Sequence, residues 1–435
     1  MADSLIFKHI DNIAFVILGF VIILTTYAES NYIGYFAMLF SLCMLFKLIV
    51  KKDETVQCSL INKILIIYFL IVLISAFGAS YFSLSLKGLM KTVIYFCFYF
   101  SSAYYLSSNK RKIIPLIILI CLTTGLEAII GIIQNLSHIE AIATWQDTTN
   151  ITDPTKILSR AYGTLKPYNP NLLAGYLLTG LCSSLGMFLV SNYRKNKIGI
   201  ILFGALFCTI FYAIFVTGSR GAYLGLFGLF ITVLYCIHKY IKNNFGSISK
   251  IKAKFKVIFA SIIAFCAGIA CFIPSFRERF LSVFTLRGDS SIAFRMNVYE
   301  ACIKMFQDNP FLGIGVGNKN FREIYGLYMK TGYDALGAYS VPLEIAVESG
   351  IFALLSFGLF IFLTVKKILH FINSDVIHPI RKFVLFSVLL TIFALMFHGL
   401  FDTIFFRPQV QIIFWLNIAI FHSLCYKNKF CYKHN

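Results

Sequence analysis

Charged residues are scarce in this sequence, and acidic residues are the scarcest of them. Only 13% of the 435 residues are charged, with 19 Asp and Glu against 39 Lys and Arg. A soluble domain carries about 25% charged residues, so this composition excludes an ordinary globular protein. The repeated apolar runs instead predict one integral membrane domain that covers residues 1–435.

The sequence also lacks any recognisable metal or disulfide pattern. Its 12 cysteines include no CxxC pair and no Cys/His cluster with zinc spacing, and most lie inside apolar runs. Cysteine in such a run behaves as a small apolar residue. We therefore predict no metal site and no cofactor. The first apolar run, 13–27, has no small-residue cleavage site, so no cleavable signal peptide is predicted.

The formal net charge is +20, which could suggest a nucleic-acid partner. The basic residues, however, form short clusters between the apolar runs, as the positive-inside rule requires of cytoplasmic loops. We therefore predict a membrane partner and no nucleic acid.

Apolar runs long enough to cross a bilayer, which takes about 20 residues, occur about twelve times. The predicted fold is thus an all-α polytopic membrane protein of about 12 transmembrane helices. The predicted spans are 12–28, 31–50, 61–82, 88–107, 113–135, 171–192, 197–217, 221–241, 256–274, 341–365, 381–400 and 409–426.

The basic clusters alternate along the chain and fall on one side if both termini are cytoplasmic. The opposite side then receives a large extracytoplasmic loop with amphipathic helices, 275–340, between spans 9 and 10. A smaller extracytoplasmic loop, 136–170, precedes the sixth span. Long connections of this kind often hold the functional residues.

Several arginines lie on the extracytoplasmic side, where the rule does not favour cations, and this makes them candidate binding residues. They include Arg160, Arg220, Arg295 and Arg407. Arginine presents a planar fork of donors that suits phosphate. For Arg220, which follows a glycine in a very short turn, the alternative is an arginine that extends to the membrane interface.

Asn169 and Asn171 flank a proline at the start of the sixth span, a pattern typical of a helix N-terminus. Such a terminus presents free N–H groups to an anion. Both asparagines are therefore candidate substrate contacts, and the alternative is a simple cap on a membrane helix.

The large loop contains two further features. Residues 294–306 have apolar side chains at helical spacing and predict an amphipathic helix on the membrane face, with Arg295 in its first turn. A glycine run, 308–317, follows this helix but lacks the strand and the Lys-Ser/Thr of a nucleotide-binding loop. We predict a turn that brings its backbone close to membrane or substrate.

Three ionisable residues lie in or beside predicted spans, where such groups are functional candidates. Glu127 is expected to face the bundle interior, with no partner identified. His398, beside Gly399, is a candidate helix-packing group. Asp402 is expected to pair with Arg407.

The motifs together resemble the O-antigen ligase and O-antigen polymerase superfamily. The resemblance depends on Thr217-Gly-Ser-Arg-Gly, on Arg295 followed by Asn309-Pro-Phe-Leu-Gly-Ile-Gly, and on Leu343-Glu-Ile-Ala-Val-Glu-Ser-Gly350, in that order around a large loop. The segments 169–176, 338–344 and 402–411 further resemble a branch described as inorganic carbon (bicarbonate) transporters.

This resemblance implies a metal-independent transferase in a bacterial plasma (inner) membrane. Such a protein moves a glycan from a polyprenyl diphosphate carrier to a glycan or lipid acceptor on the extracytoplasmic face. By the same resemblance, Arg220 and Arg295 match two arginines that hold the donor diphosphate. Fixed cations can stabilise the charge of that leaving group without a metal.

One position departs from the family pattern. The ligases carry a histidine that is thought to activate the acceptor hydroxyl, and the corresponding residue here is Tyr339. A tyrosine with a pKa of about 10 is a poor base at neutral pH. Either another group takes this role, with Glu344 and Glu348 nearest, or the ligase reaction has been lost in this branch. The two glutamates lie four residues apart on one helix face, and one of them could instead pair with an arginine of the loop.

Two other functions stay open at this stage. The first is transport of bicarbonate or another small anion, in which the same arginines would form a binding site. That function predicts helix breaks at mid-membrane and inverted repeats. The second is an assembly or regulatory protein that has kept only the fold.

Overall fold

The computed structural model describes residues 2–50, 59–137, 160–244, 290–374 and 377–426. Within these ranges the chain forms thirteen α-helices and no strand. The first eight are α1 (Ala2–Tyr27), α2 (Ser30–Val50), α3 (Leu60–Phe77), α4 (Phe82–Ser108), α5 (Ile113–Leu136), α6 (Pro170–Tyr193), α7 (Lys197–Thr217) and α8 (Arg220–Asn244). The others are α9 (Ser290–Asp308), α10 (Asn318–Tyr325), α11 (Val341–Ile372), α12 (Pro379–Gly399) and α13 (Pro408–Cys425).

The all-α polytopic membrane fold is confirmed. In the described ranges, 10 helices are long and apolar enough to cross a membrane, and they correspond to ten of the predicted spans. The predicted span 88–107 lies in α4, a helix of 27 residues that is too polar to be counted among the ten. The predicted span 256–274 falls outside the described residues.

Helix starts follow the local sequence. Asn169 caps α6 by accepting a hydrogen bond from the backbone N–H of Asn171 at 2.8 Å, and Pro170 occupies the first helical position. This is the predicted start signal. Asn196 caps α7 in the same way, and Gly218, whose φ of 59° is left-handed, follows the last residue of α7 and terminates it.

The two helices at the centre of the bundle are α6 and α13, in which most residues are buried. Helix α6 packs against α5, α7 and α12, and α13 packs against α4. Bilayer lipid is as apolar as these side chains, so close packing between helices has to hold the bundle together. Glycines permit this where α8 meets α12, since a Cβ atom on Gly225 would lie 2.9 Å from the Ala394 carbonyl oxygen.

The large loop has a small hydrophobic core of its own. One face of α9 places Val298, Cys302 and Met305 against Phe321 and Tyr325 of α10. The predicted amphipathic helix is therefore present, and its apolar face packs within the loop. It begins at Ser290, so Arg295 lies in its second turn and not in the first.

The glycine run contacts protein backbone. Helix α11 is broken at Gly350, where φ is 78° and ψ is 179°. The glycine run fills the break: the Ile314 N–H donates to the Val347 carbonyl, and the Gly315 N–H donates to the Glu348 carbonyl, each at 2.9 Å. Irregular backbone at membrane depth is tolerated where protein groups satisfy it. The run thus packs on α11, and its approach to membrane or substrate stays a prediction.

Candidate functional site

Polar side chains from distant parts of the chain form one hydrogen-bonded network at an end of the bundle. The Arg160 guanidinium donates to the Thr217 carbonyl through Nε and to Asn171 Oδ1 through Nη2, each at 2.8 Å. Asn171 Nδ2 in turn donates to Asp402 Oδ2 at 2.8 Å. Asp402 then forms an ion pair with Arg295, whose Nη2 lies 3.6 Å from Oδ2. We call these four side chains, Arg160, Asn171, Asp402 and Arg295, the polar network.

The ion pair Arg295–Asp402 replaces the pair expected between Asp402 and Arg407. Asp402 is 5% exposed, and its other oxygen accepts the Ile404 N–H at 3.2 Å. Arg407 lies beyond a short 3-10 helix, Ile404–Phe406, and begins α13. The prediction that Asp402 pairs with the nearest cation in the sequence is therefore wrong. The fold brings Arg295, a residue of the large loop, to Asp402 instead.

The turn that bears Arg160 is held by α5. Glu127 accepts a hydrogen bond from the Thr164 N–H at 2.9 Å and a second, short one from the Thr164 hydroxyl. Gln134 accepts the Gly163 N–H at 2.8 Å and donates to the Gly163 carbonyl at 3.1 Å. Glu127 thus faces the interior as predicted, and its partner is a threonine of the smaller loop, 136–170.

Arg220 occupies the first position of α8, directly after Ser219, whose hydroxyl accepts the Ala222 N–H at 3.4 Å. Thr217, three residues earlier, is the residue to which Arg160 donates. Arg220 therefore begins a helix whose preceding turn is bonded to the polar network. The contacts place Arg220 and Arg295 at the same end of the bundle.

His398 lies against this first turn of α8. The side chain is 1% exposed, and a Cβ atom on Gly221 would lie 3.3 Å from its Nε2. Neither ring nitrogen has a hydrogen-bond partner among the described residues. This close contact between α8 and α12 agrees with the helix-packing role expected for His398.

Tyr339 adjoins the polar network and has a left-handed backbone, with φ at 51°. The Arg295 guanidinium lies 5.9 Å from the centre of its ring. Burial raises the pKa of Tyr339 to about 12, with a smaller contribution from the Asp402 carboxylate, and Arg295 opposes both. The hydroxyl therefore stays protonated at neutral pH. Tyr339 can donate a hydrogen bond, but it cannot act as a base.

Glu344 and Glu348 are both buried, and each is bonded to backbone of the large loop. Glu344 Oε2 accepts the Ala338 N–H, and Glu348 Oε1 accepts the Gly317 N–H, each at 3.0 Å. Neither forms an ion pair with a described residue. The alternative in which one of them pairs with a loop arginine is therefore wrong for the described residues. Of the two glutamates, Glu344 is the one that interacts electrostatically with Asp402 and Arg407.

Asn169 and Arg407 lie at helix starts outside the polar network. Asn169 is the cap of α6, so its side chain is engaged by the helix itself. Arg407 precedes Pro408 at the start of α13 and lines a cavity with Lys166 and residues of the α1–α2 turn. The structure thus separates the predicted binding residues into a network around Arg295 and a cavity beside Arg407.

Metal-binding residues do not cluster in the part of the chain that the structure describes. There is no group of three or more His, Cys, Asp or Glu side chains there that could hold a metal ion.

Sequence reasoning missed two residues that shape this site. Gln134 and Thr164 fix the turn of Arg160, yet neither forms a motif with it in the sequence. Gln134 lies seven residues after Glu127 on α5, so the two share a helix face. This spacing of seven residues was the signal in the sequence from which Gln134 could have been predicted. Asp402 was noted, but its role as the centre of the network was not.

These features define a class: an integral membrane protein whose extended connections bring arginines and a carboxylate together at one end of a helical bundle. Residues 204–358 match the model of the family described as O-Antigen ligase (Wzy_C). The match runs from α7 to the first part of α11 and includes Arg220 and Arg295. It supports the O-antigen ligase superfamily and does not extend to the branch of inorganic carbon transporters. No curated protein matches the chain.

Proposed function

We propose that this protein transfers a glycan from a polyprenyl diphosphate carrier to a glycan or lipid acceptor on the extracytoplasmic face. The observation that carries the proposal is the Arg295–Asp402 ion pair, which lies in a network bonded to the turn before Arg220. Both arginines fall within the segment that matches the O-antigen ligase family.

A diphosphate donor accounts for the charges of this site. The diphosphate gains negative charge as it leaves the sugar, and preorganised donors aimed at that charge are effective catalysts in a site with little water. Arg295 supplies a planar fork, and Asp402 at 3.6 Å restricts its orientation. Arg220 adds a second cation at the start of α8, where the positive end of the helix dipole also favours an anion.

The transfer forms a bond between an acceptor hydroxyl oxygen and the anomeric carbon of the donor sugar. The bond from that carbon to the diphosphate breaks, and the diphosphate leaves with the electron pair. A base must take the hydroxyl proton. We assign this role to Glu344, since Tyr339 stays protonated and Glu344 accepts the N–H of Ala338, the residue next to Tyr339, whereas Glu348 accepts the N–H of Gly317 in the glycine run. Glu344 follows Tyr339 closely, in the first turn of α11.

The helix break at Gly350 is the kind of feature expected of a small-anion transporter. Its backbone groups, however, are bonded to residues 310–315, including the Ile351 N–H to the Pro310 carbonyl at 2.9 Å. A break that is closed by protein offers no exposed dipoles to an ion. This favours the transferase over transport of bicarbonate or another small anion.

The proposal is tested by comparing cells with and without the gene. Surface glycans are compared by mass spectrometry and gel mobility, and the lipid-linked precursors are quantified in parallel. We expect loss of a polymer together with build-up of its lipid-linked precursor. An unchanged glycan profile would contradict the proposal, and uptake of labelled bicarbonate into vesicles would then be measured.

A further inference from the structure

A cavity of about 260 Å³, open at the protein surface, is lined by Arg407 and Lys166. It lies between the α1–α2 turn, the segment before α6 and the start of α13. This volume exceeds the roughly 150 Å³ of an apolar protein cavity that binds benzene, so it has room for one sugar ring. The lining residues are Glu29, Ser30, Asn31, Lys166, Pro167 and Arg407.

Arg407 gives the cavity a cation with unused donors. Its side chain is half-buried and forms neither an ion pair nor a hydrogen bond with any described residue. A guanidinium has five N–H donors and no acceptor. A half-buried group of this kind is therefore well suited to an anion that enters the cavity.

Lys166 provides the second cation. Its Nζ lies 3.4 Å from Glu29, but the two side chains are 41% and 58% exposed, so the pair is weak. The backbone of Lys166 is fixed, because its carbonyl accepts a hydrogen bond at 2.9 Å from the fully buried Gln409. The cavity thus has two cations against one carboxylate, while Ser30 and Asn31 offer neutral hydrogen-bonding groups.

The cavity adjoins the proposed site. Lys166 follows the Arg160–Thr164 turn, which α5 holds in place. Arg407 is connected to Asp402 by the short 3-10 helix between them: the Ile404 N–H donates to Asp402 Oδ1 at 3.2 Å, and the Arg407 N–H donates to the Ile404 carbonyl at 2.9 Å. The donor diphosphate already has Arg295 and Arg220, so the cations of this cavity are available to the other substrate.

We propose that this cavity binds the acceptor through an anionic sugar unit, with Arg407 and Lys166 as ligands of its carboxylate or phosphate. The assignment to the acceptor rests on the proposed function, whereas binding of an anionic sugar can be measured without any transfer. Glu29 competes with the sugar for Lys166. The carboxylate of Glu29 therefore weakens binding.

The test is saturation-transfer NMR on the full chain in nanodiscs, with galacturonate, glucose 6-phosphate, glucose and inorganic phosphate as probes. We expect one or both anionic sugars to bind more tightly than glucose, and the preferred one identifies the group as carboxylate or phosphate. Arg407→Ala should weaken that binding about 10-fold, as loss of charged hydrogen bonds does. Lys166→Ala should weaken it a few-fold, and Glu29→Gln should tighten it.

The matched control is Arg322→Ala, which removes an exposed arginine paired with Asp334 in the large loop. It should leave binding unchanged. Because Glu29→Gln is expected to strengthen binding, a folding defect cannot imitate the full set of results.

Three outcomes overturn the proposal: equal binding of glucose and both anionic sugars, no effect of Arg407→Ala, or weaker binding in Glu29→Gln. Displacement of the sugars by polyprenyl diphosphate would assign the cavity to the donor and overturn the acceptor role. Anionic sugar binding in a wild-type protein that transfers no glycan would contradict the proposed function alone.

Discussion

Replacement of Arg295 by alanine is the sharpest test of the polar network. The change removes the ion pair to Asp402 at 3.6 Å and the guanidinium beside the ring of Tyr339. The two side chains of the pair are 20% and 7% exposed, between a surface pair and a fully buried one. We therefore expect Arg295→Ala to lower the free energy of unfolding by about 2 kcal/mol.

The effect on catalysis should be larger than this loss of stability explains. Removal of one preorganised donor from a site that stabilises developing charge costs about 10²–10³ in turnover rate. The expected result for Arg295→Ala is therefore a folded protein whose turnover rate has fallen by that factor. Transfer from a lipid-linked donor in nanodiscs would be measured alongside thermal unfolding.

A double variant separates the two effects. In Arg295→Ala with Asp402→Asn, the carboxylate left without its cation is neutralised, so about 1 kcal/mol of stability should return. The turnover rate should stay low, because no cation has been restored. Arg322→Ala, which breaks an exposed pair with Asp334, is the control and should change neither quantity. Recovery of turnover in the double variant, or wild-type turnover in Arg295→Ala, would refute the catalytic role.

Three further predictions follow from individual contacts. Gly350→Ala should destabilise the protein by about 3 kcal/mol in thermal unfolding, because φ is 78° and the new Cβ atom would lie 2.0 Å from a carbonyl oxygen. The control is Gly358→Ala, which should leave the stability unchanged because nothing lies within 4 Å of the new Cβ atom. Tyr339→Phe should leave the pH dependence of the transfer rate unchanged between about pH 6 and 9, since a pKa of about 12 keeps the Tyr339 hydroxyl protonated throughout. If the variant no longer showed the rise or fall in rate that the wild type shows in this range, the reasoning would be contradicted. Arg220→Ala should reduce transfer about 100-fold with normal expression, whereas Lys304→Ala, which breaks an exposed pair, should not.

Local signals explain how much of the fold could be predicted. Ten of the predicted spans correspond to apolar helices, because transfer of a segment into a bilayer depends on its own side chains. The start of α6 was predicted from Asn169 and Pro170 for a similar reason: the cap bonds a backbone group only two residues away. Helix α4 departs from the pattern, since its polar residues make it less apolar than the ten.

Part of the candidate site was also visible in the sequence. The positive-inside rule marked Arg160, Arg220 and Arg295 as cations on the less favoured side, and the structure places all three at one end of the bundle. The residues with which these charged groups pair could not be predicted from the sequence. Asp402 was expected to bind its near neighbour Arg407, and the contact of the glycine run with the break at Gly350 was not predicted.

The sequence by itself therefore determined which segments form membrane helices, where several of them begin, and which side chains are candidates for an anionic ligand. Only the tertiary structure decided that Arg295 pairs with Asp402, that Thr164 satisfies Glu127, and that Arg407 lines a separate cavity. The physical reason is that hydropathy and capping act within a few residues along the chain. Which side chains meet depends instead on how the helices pack, and lipid, being uniformly apolar, does not select neighbours for a helix.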